Sequence, residues 1–158
     1  MNLLNIIKKL NKILITIAAF TLVVAMVEAV FNMLLRPIGY PVQGSFEVMG
    51  FACAVISALG LGYSQEQKAH ISVDIIFRFL PFKIKRGLRF ISRFISAVFF
   101  MAVSYRILCL GITYYFSQEL SETLRIPIYP ITFLVSIGFF ALSLTLFLDT
   151  VILLLKKD

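Results

Sequence analysis

At 158 residues, 60% hydrophobic and only 15% charged, the chain carries more apolar surface than one compact water-soluble core of this size buries, so its natural solvent is lipid. The net charge of +7 gathers at the edges of apolar runs, where it suits anionic phospholipid headgroups and argues against nucleic acid as a partner. Two isolated cysteines, Cys53 and Cys109, form no zinc signature and no CxxC motif, and they read as small packing residues.

The first expected membrane helix covers 13–35, after Lys8, Lys9 and Lys12. It is roughly 34 Å long, enough for a hydrocarbon core of about 30 Å, and it exceeds the roughly 7–15 residues of a signal-peptide apolar region. It is therefore read as a retained span. Arg36-Pro37-Ile38-Gly39-Tyr40-Pro41 breaks it, because proline removes a donor and restricts the residue before it. A second span is expected at 44–63, a third at 90–116, and a fourth at 127–155 with Pro127 in its first turn.

Between the second and third spans the pattern changes. Ile71, Ile75, Ile76, Phe79 and Leu80 recur at helical spacing, while His70, Asp74 and Arg78 share a polar stripe, and Pro81 ends the segment. An amphipathic helix lying in the interface is expected over about 65–80. Lys83, Lys85, Arg86, Arg89 and Arg93 follow it and are expected to meet lipid headgroups. The basic residues before the first span, those of this connection and the last two lysines all share one side, against Arg36 and Arg125 on the other. That bias makes the first side cytoplasmic. The fold expected is an all-α integral membrane protein, a single domain of four transmembrane helices with a cytoplasmic interfacial amphipathic helix between helices two and three, and with both termini cytoplasmic.

Four ionisable residues fall inside the spans: Glu28, Glu47, Arg106 and Asp149. Each is costly there and is a functional candidate by default. Glu47 and Asp149 lie near span ends. Glu28 and Arg106 lie about 10 Å and about 15 Å in from the outer ends. Either they pair across the first and third spans, or each faces a partner subunit. One Glu beside one Arg is largely neutralised, so a packing ion pair is favoured over a cation-coupling site. His70 has no second His or Cys at ligand spacing, and Asp74 could orient it but no nucleophile accompanies them. No phosphate-binding loop and no Ser/His/Asp set occurs. No enzyme activity, no metal and no substrate site is expected in this chain.

The order of motifs resembles a known family. Arg36 closes the first span, Phe46-Glu47 opens the second, and Gly60 and Gly62 lie late in it. His70-Ile71-Ser72-Val73-Asp74 and Leu80-Pro81 follow, and Ser121-Glu122-Thr123-Leu124-Arg125-Ile126-Pro127 precedes the fourth span. This order is similar to that of the small membrane subunit of tripartite ATP-independent periplasmic (TRAP) transporters, the DctQ-like family, over nearly the whole chain. Phe46 stands where that family usually has tryptophan, which this chain lacks. The resemblance implies a subunit of the bacterial inner membrane that acts beside a large permease subunit carrying the substrate and sodium sites. A periplasmic substrate-binding protein would deliver an organic acid such as a C4-dicarboxylate or sialic acid. The small subunit itself would need no cofactor and would act as scaffold.

The short outer loops carry Arg36, Glu119, Glu122 and Arg125, which either dock the binding protein or are solvated loop charges. A competing reading is a self-sufficient small proton-coupled exporter using Glu28. The long amphipathic connection and Arg106 argue against it. The charge bias has a direct check: cysteines placed at His70 and Glu122 should label from opposite faces of the membrane, and labelling from one face would invert the topology.

Overall fold

The computed structural model describes residues 2–40, 42–67 and 82–155. They form four long helices: α1 (Asn2–Leu35), α2 (Ser45–Glu66), α3 (Phe82–Ser117) and α4 (Tyr129–Leu155). All four are long and apolar enough to cross a membrane. Helix is the necessary choice there, because lipid offers no partner to an unpaired backbone N–H or C=O. The interfacial helix expected over 65–80 falls largely on residues outside the described set, as do His70, Asp74 and Pro81.

The helix ends follow from local sequence. A 3-10 turn, Arg36–Ile38, ends α1, and Gly39 closes it in the left-handed region at φ 86° with its N–H on the Arg36 carbonyl. The Tyr40 N–H returns to the Leu35 carbonyl at 3.2 Å, so orphan carbonyls of the helix end are satisfied. Helix α4 begins at Tyr129, two residues later than expected from Pro127. Pro130 is its first-turn proline, and Pro127 instead forms an antiparallel bridge with Leu120.

In space the order is α1, α2, α4, α3. Helix α1 packs on α2, α2 on α4, and α4 on α3, with a smaller contact between α1 and α4. Helices α1 and α3 are the flanks. Leu14 and Ala18 of α1, Val55 and Leu59 of α2, and Ala141 of α4 form one buried cluster. Ala97 of α3 with Leu142 and Leu146 of α4 forms a second. The tightest crossing is between α2 and α4. A Cβ on Gly138 would lie 2.6 Å from the backbone carbonyl of Ala58.

Lipid tails are as apolar as leucine, so burial drives helix association weakly and close packing with hydrogen bonds does more. On the α3–α4 seam, Ser104 Oγ donates to the Ser136 carbonyl and Ser136 Oγ donates to the Ser104 carbonyl, both at 3.0 Å. Ser143 Oγ donates to the Ala97 carbonyl at 2.9 Å. Of the small residues in the spans, Ala18, Ala25, Gly62 and Gly111 are buried, whereas Ala19 faces outward.

Gly138→Leu should force α2 and α4 apart. Overpacking of this kind costs about 1–3 kcal/mol, and the denaturation midpoint of the purified chain in mild detergent should fall accordingly.

Candidate functional site

At the end of the bundle where α1 closes and α2 opens, one carboxylate organises the surrounding backbone. Glu47 stands in the first turn of α2, where the helix N-terminus favours negative charge. Its Oε2 accepts from Ser121 Oγ at 2.6 Å and from the Leu124 N–H at 3.1 Å. Its Oε1 accepts from the Thr123 N–H at 2.7 Å. One side chain thus clasps the whole turn between α3 and α4.

The turn is shaped to be held. The Ser121 N–H bonds the Ile126 carbonyl at 2.9 Å, and the Ile128 N–H bonds the Glu119 carbonyl at 3.3 Å. Gln118 and Arg125 each take φ 52°, a left-handed conformation uncommon for residues other than glycine. Leu124 lies directly over Gly44, which precedes α2 at φ 76°. Glycine is required there twice over, since a Cβ would strain the backbone and overlap the Leu124 side chain. Of the family-motif residues, Glu47, Thr123 and Leu124 therefore meet, with Thr123 engaged through its backbone N–H. Pro127 closes the same turn. The sequence places Ser121 in a motif but assigns it no role. Its signal was its place at the head of the Ser-Glu-Thr-Leu motif, opposite an acidic residue of unknown purpose.

Beside the clasp, an open groove of about 580 Å³ is lined by Asn32, Met33, Arg36, Ser45, Phe46 and Met49. Arg36 and Phe46 border it together, and Phe46 is 95% exposed, so it fills no core position. Asn32 ties α1 to α2 here. Its Nδ2 donates to Ser45 Oγ at 2.8 Å, and its Oδ1 accepts the Val42 N–H at 3.2 Å. Arg36, Glu119, Glu122 and Arg125 are exposed at this same end.

The opposite end carries a second knot. Asn11 of α1 is fully buried, and its Nδ2 lies 3.1 Å from Thr145 Oγ1, 3.1 Å from Glu66 Oε2 and 3.4 Å from the Gly62 carbonyl. Gly62 leaves room for it, since a Cβ there would stand 2.9 Å from Asn11 Oδ1. Gln65 Nε2 donates to Asp149 Oδ2 at 3.2 Å. Arg93, expected among the headgroups, is half-buried and donates from Nη1 to the Asp149 carbonyl at 3.4 Å. Lys83, Lys85, Arg86 and Arg89 lie in the first turns of α3, and their side chains are outside the described set. A cavity of about 340 Å³ adjoins this knot, lined in part by Lys8, Asn11, Glu66 and Asp149.

The Glu28–Arg106 pair is not formed. Both carboxylate oxygens of Glu28 are shut off from solvent without a hydrogen-bond partner, and Arg106 is exposed on α3. The reason is topological: the order α1, α2, α4, α3 puts the two helices on opposite flanks. Among the described residues, no three His, Cys, Asp or Glu side chains gather to hold a metal ion.

A family model described as tripartite ATP-independent periplasmic transporters, DctQ component, matches residues 25–156. The chain belongs to the DctQ family. The match runs from Ala25 to Lys156, so it takes in Glu47, the clasped turn and the serine pair of α3 and α4. This DctQ component is a multi-pass membrane protein of a tripartite transport system with other subunits, and the family is one of transporter components rather than enzymes. Comparison with curated proteins and with solved structures gives no match.

Glu47→Ala should release the α3–α4 turn while leaving the four helices in place. Hydrogen exchange at the Thr123 and Leu124 amides should quicken by roughly tenfold. Glu47→Gln, which keeps one acceptor oxygen, should fall between.

Proposed function

We propose that this chain is the small accessory subunit of a TRAP secondary transporter and that it supports a large permease subunit in sodium-coupled uptake of an organic acid. A C4-dicarboxylate or sialic acid is the class of solute, delivered by a periplasmic substrate-binding protein. The chain lies in the bacterial inner membrane with both termini cytoplasmic, as the distribution of lysine and arginine argues. Sodium and solute are held by the large subunit, and this chain contributes no cofactor or metal ligand.

The observation that carries this reading beyond family membership is the use made of the polar side chains in and beside the spans. Glu47, Asn32, Asn11, Gln65 and the serine pair tie helix to helix or helix to turn. A bundle clasped at both ends suits a body that stays fixed while its neighbour moves. The exposed outer residues Arg36, Glu119, Glu122 and Arg125 then stand where a soluble binding protein would dock.

The exporter reading finds support in one place, the unpartnered Glu28 carboxylate. Reconstitution separates the two. Proteoliposomes holding this chain, the large membrane subunit and the binding protein should accumulate labelled organic acid only with an inward sodium gradient, and the chain alone should transport nothing. Transport by the isolated chain that is lost in Glu28→Gln would establish the exporter instead. Alanine at Arg36, Glu119, Glu122 and Arg125 together should lower uptake several-fold at limiting binding protein, and unchanged uptake would remove the docking role.

A further inference from the structure

Arg106 is the residue that the bundle leaves without an account. It sits about 14 Å along α3 from Tyr115 and about 20 Å from Arg93. Tyr115 and Tyr129 stack edge to face at one end of the bundle, and Arg93 is fixed to Asp149 at the other. Arg106 is thus in the middle third of the span and is exposed. Among the described residues, nothing pairs with its guanidinium.

Lipid does not meet this need. A helical side chain leans toward the N-terminus of its own helix. For Arg106 that is away from Tyr115 and the nearer membrane surface, so the stem points toward the farther one. Snorkelling to headgroups works for residues near helix ends.

Around Arg106 the helix presents a narrow stripe of small side chains, flanked by the exposed rings of Phe99 and Tyr105. Ala102, Arg106, Cys109 and Thr113 follow each other along one stripe turned away from Ala97, Ser104 and Gly111, which are buried on the α4 side. Thr113 Oγ1 donates to the Cys109 carbonyl, which satisfies its hydroxyl within the helix. Short side chains beside a lone charge let another backbone come close.

We propose that this face of α3 docks against the large membrane subunit, which presents a carboxylate to Arg106 at the same depth. The proposal rests on the accessory-subunit reading above and names the surface that joins the two proteins. A second copy of this chain is a poor occupant. Helix α3 contains no acidic residue, so a symmetric contact would set arginine against arginine. The other intramembrane carboxylates are already committed or enclosed: Glu47 holds the turn, Asp149 accepts from Gln65, and the Glu28 oxygens are out of reach. The anion must come from a different chain.

The test is co-purification of the tagged chain with the large subunit in mild detergent. Arg106→Glu should lower recovery of the large subunit by roughly tenfold, while Arg106→Lys, which keeps the charge, should retain most of it. A photoreactive phenylalanine analogue at Ala102, in an otherwise unchanged chain, should form an adduct with the large subunit on illumination. This second measurement decides the matter if Arg106→Glu fails to accumulate. Recovery unchanged in Arg106→Glu, or adducts formed only with lipid or with a second copy of the chain, would overturn the proposal. If the unsubstituted chain recovers no large subunit, the accessory-subunit reading itself falls.

Discussion

The near-contact of α2 and α4 at Ala58 and Gly138 sets the geometry of everything around it. Only a missing side chain lets the two backbones approach so closely, and in lipid that approach supplies dispersion contacts which burial alone does not. These two helices are the more buried pair of the four, and they seat α1 on one side and α3 on the other. The flanking helices reach the pair through different means. Helix α3 uses the reciprocal serines, and α1 uses apolar side chains along its length with an asparagine near each end.

The two polar knots are consequences of this arrangement. With α2 and α4 in contact and running in the same direction, the start of α2 lies beside the turn that leads into α4. A carboxylate in the first turn of α2 is then within reach of that turn's backbone. The same geometry brings the end of α2 to the end of α4 at the other face, where Gln65 and Glu66 meet Asp149, Thr145 and Asn11. The polar groups of these two knots are thus spent on fixing helices to one another, in keeping with the proposed role as a fixed partner of a moving subunit.

Much of this was legible in the sequence. Four apolar runs of spanning length fixed the class of fold, and the motif order pointed to the DctQ family, because lipid leaves so few alternatives to a spanning helix. The importance of Glu47, Thr123 and Leu124 was carried by the motif. What the motif did not carry was their meeting, since two segments more than seventy residues apart in sequence share no periodicity. Gly138, Asn11 and the serines of the α3–α4 seam carry no distinguishing sequence signal for a related reason. A small or weakly polar residue in an apolar run looks the same whether it faces lipid or a neighbouring helix. The expected Glu28–Arg106 pair failed because depth along the membrane can be counted from the sequence, whereas the lateral order of helices cannot.

Asn11 and Asn32 stand on the same helix, both bonded to residues of α2 or its neighbours, and separated by about 32 Å of helical rise. That length is close to the thickness of a hydrocarbon core, about 30 Å. Sliding α1 by a single turn would break both attachments at once, so its vertical position is gauged against α2 at two points rather than one. In a thinner or thicker bilayer, the economical response is then to tilt all four helices together, with the asparagines acting as the end marks of a ruler cut to one membrane.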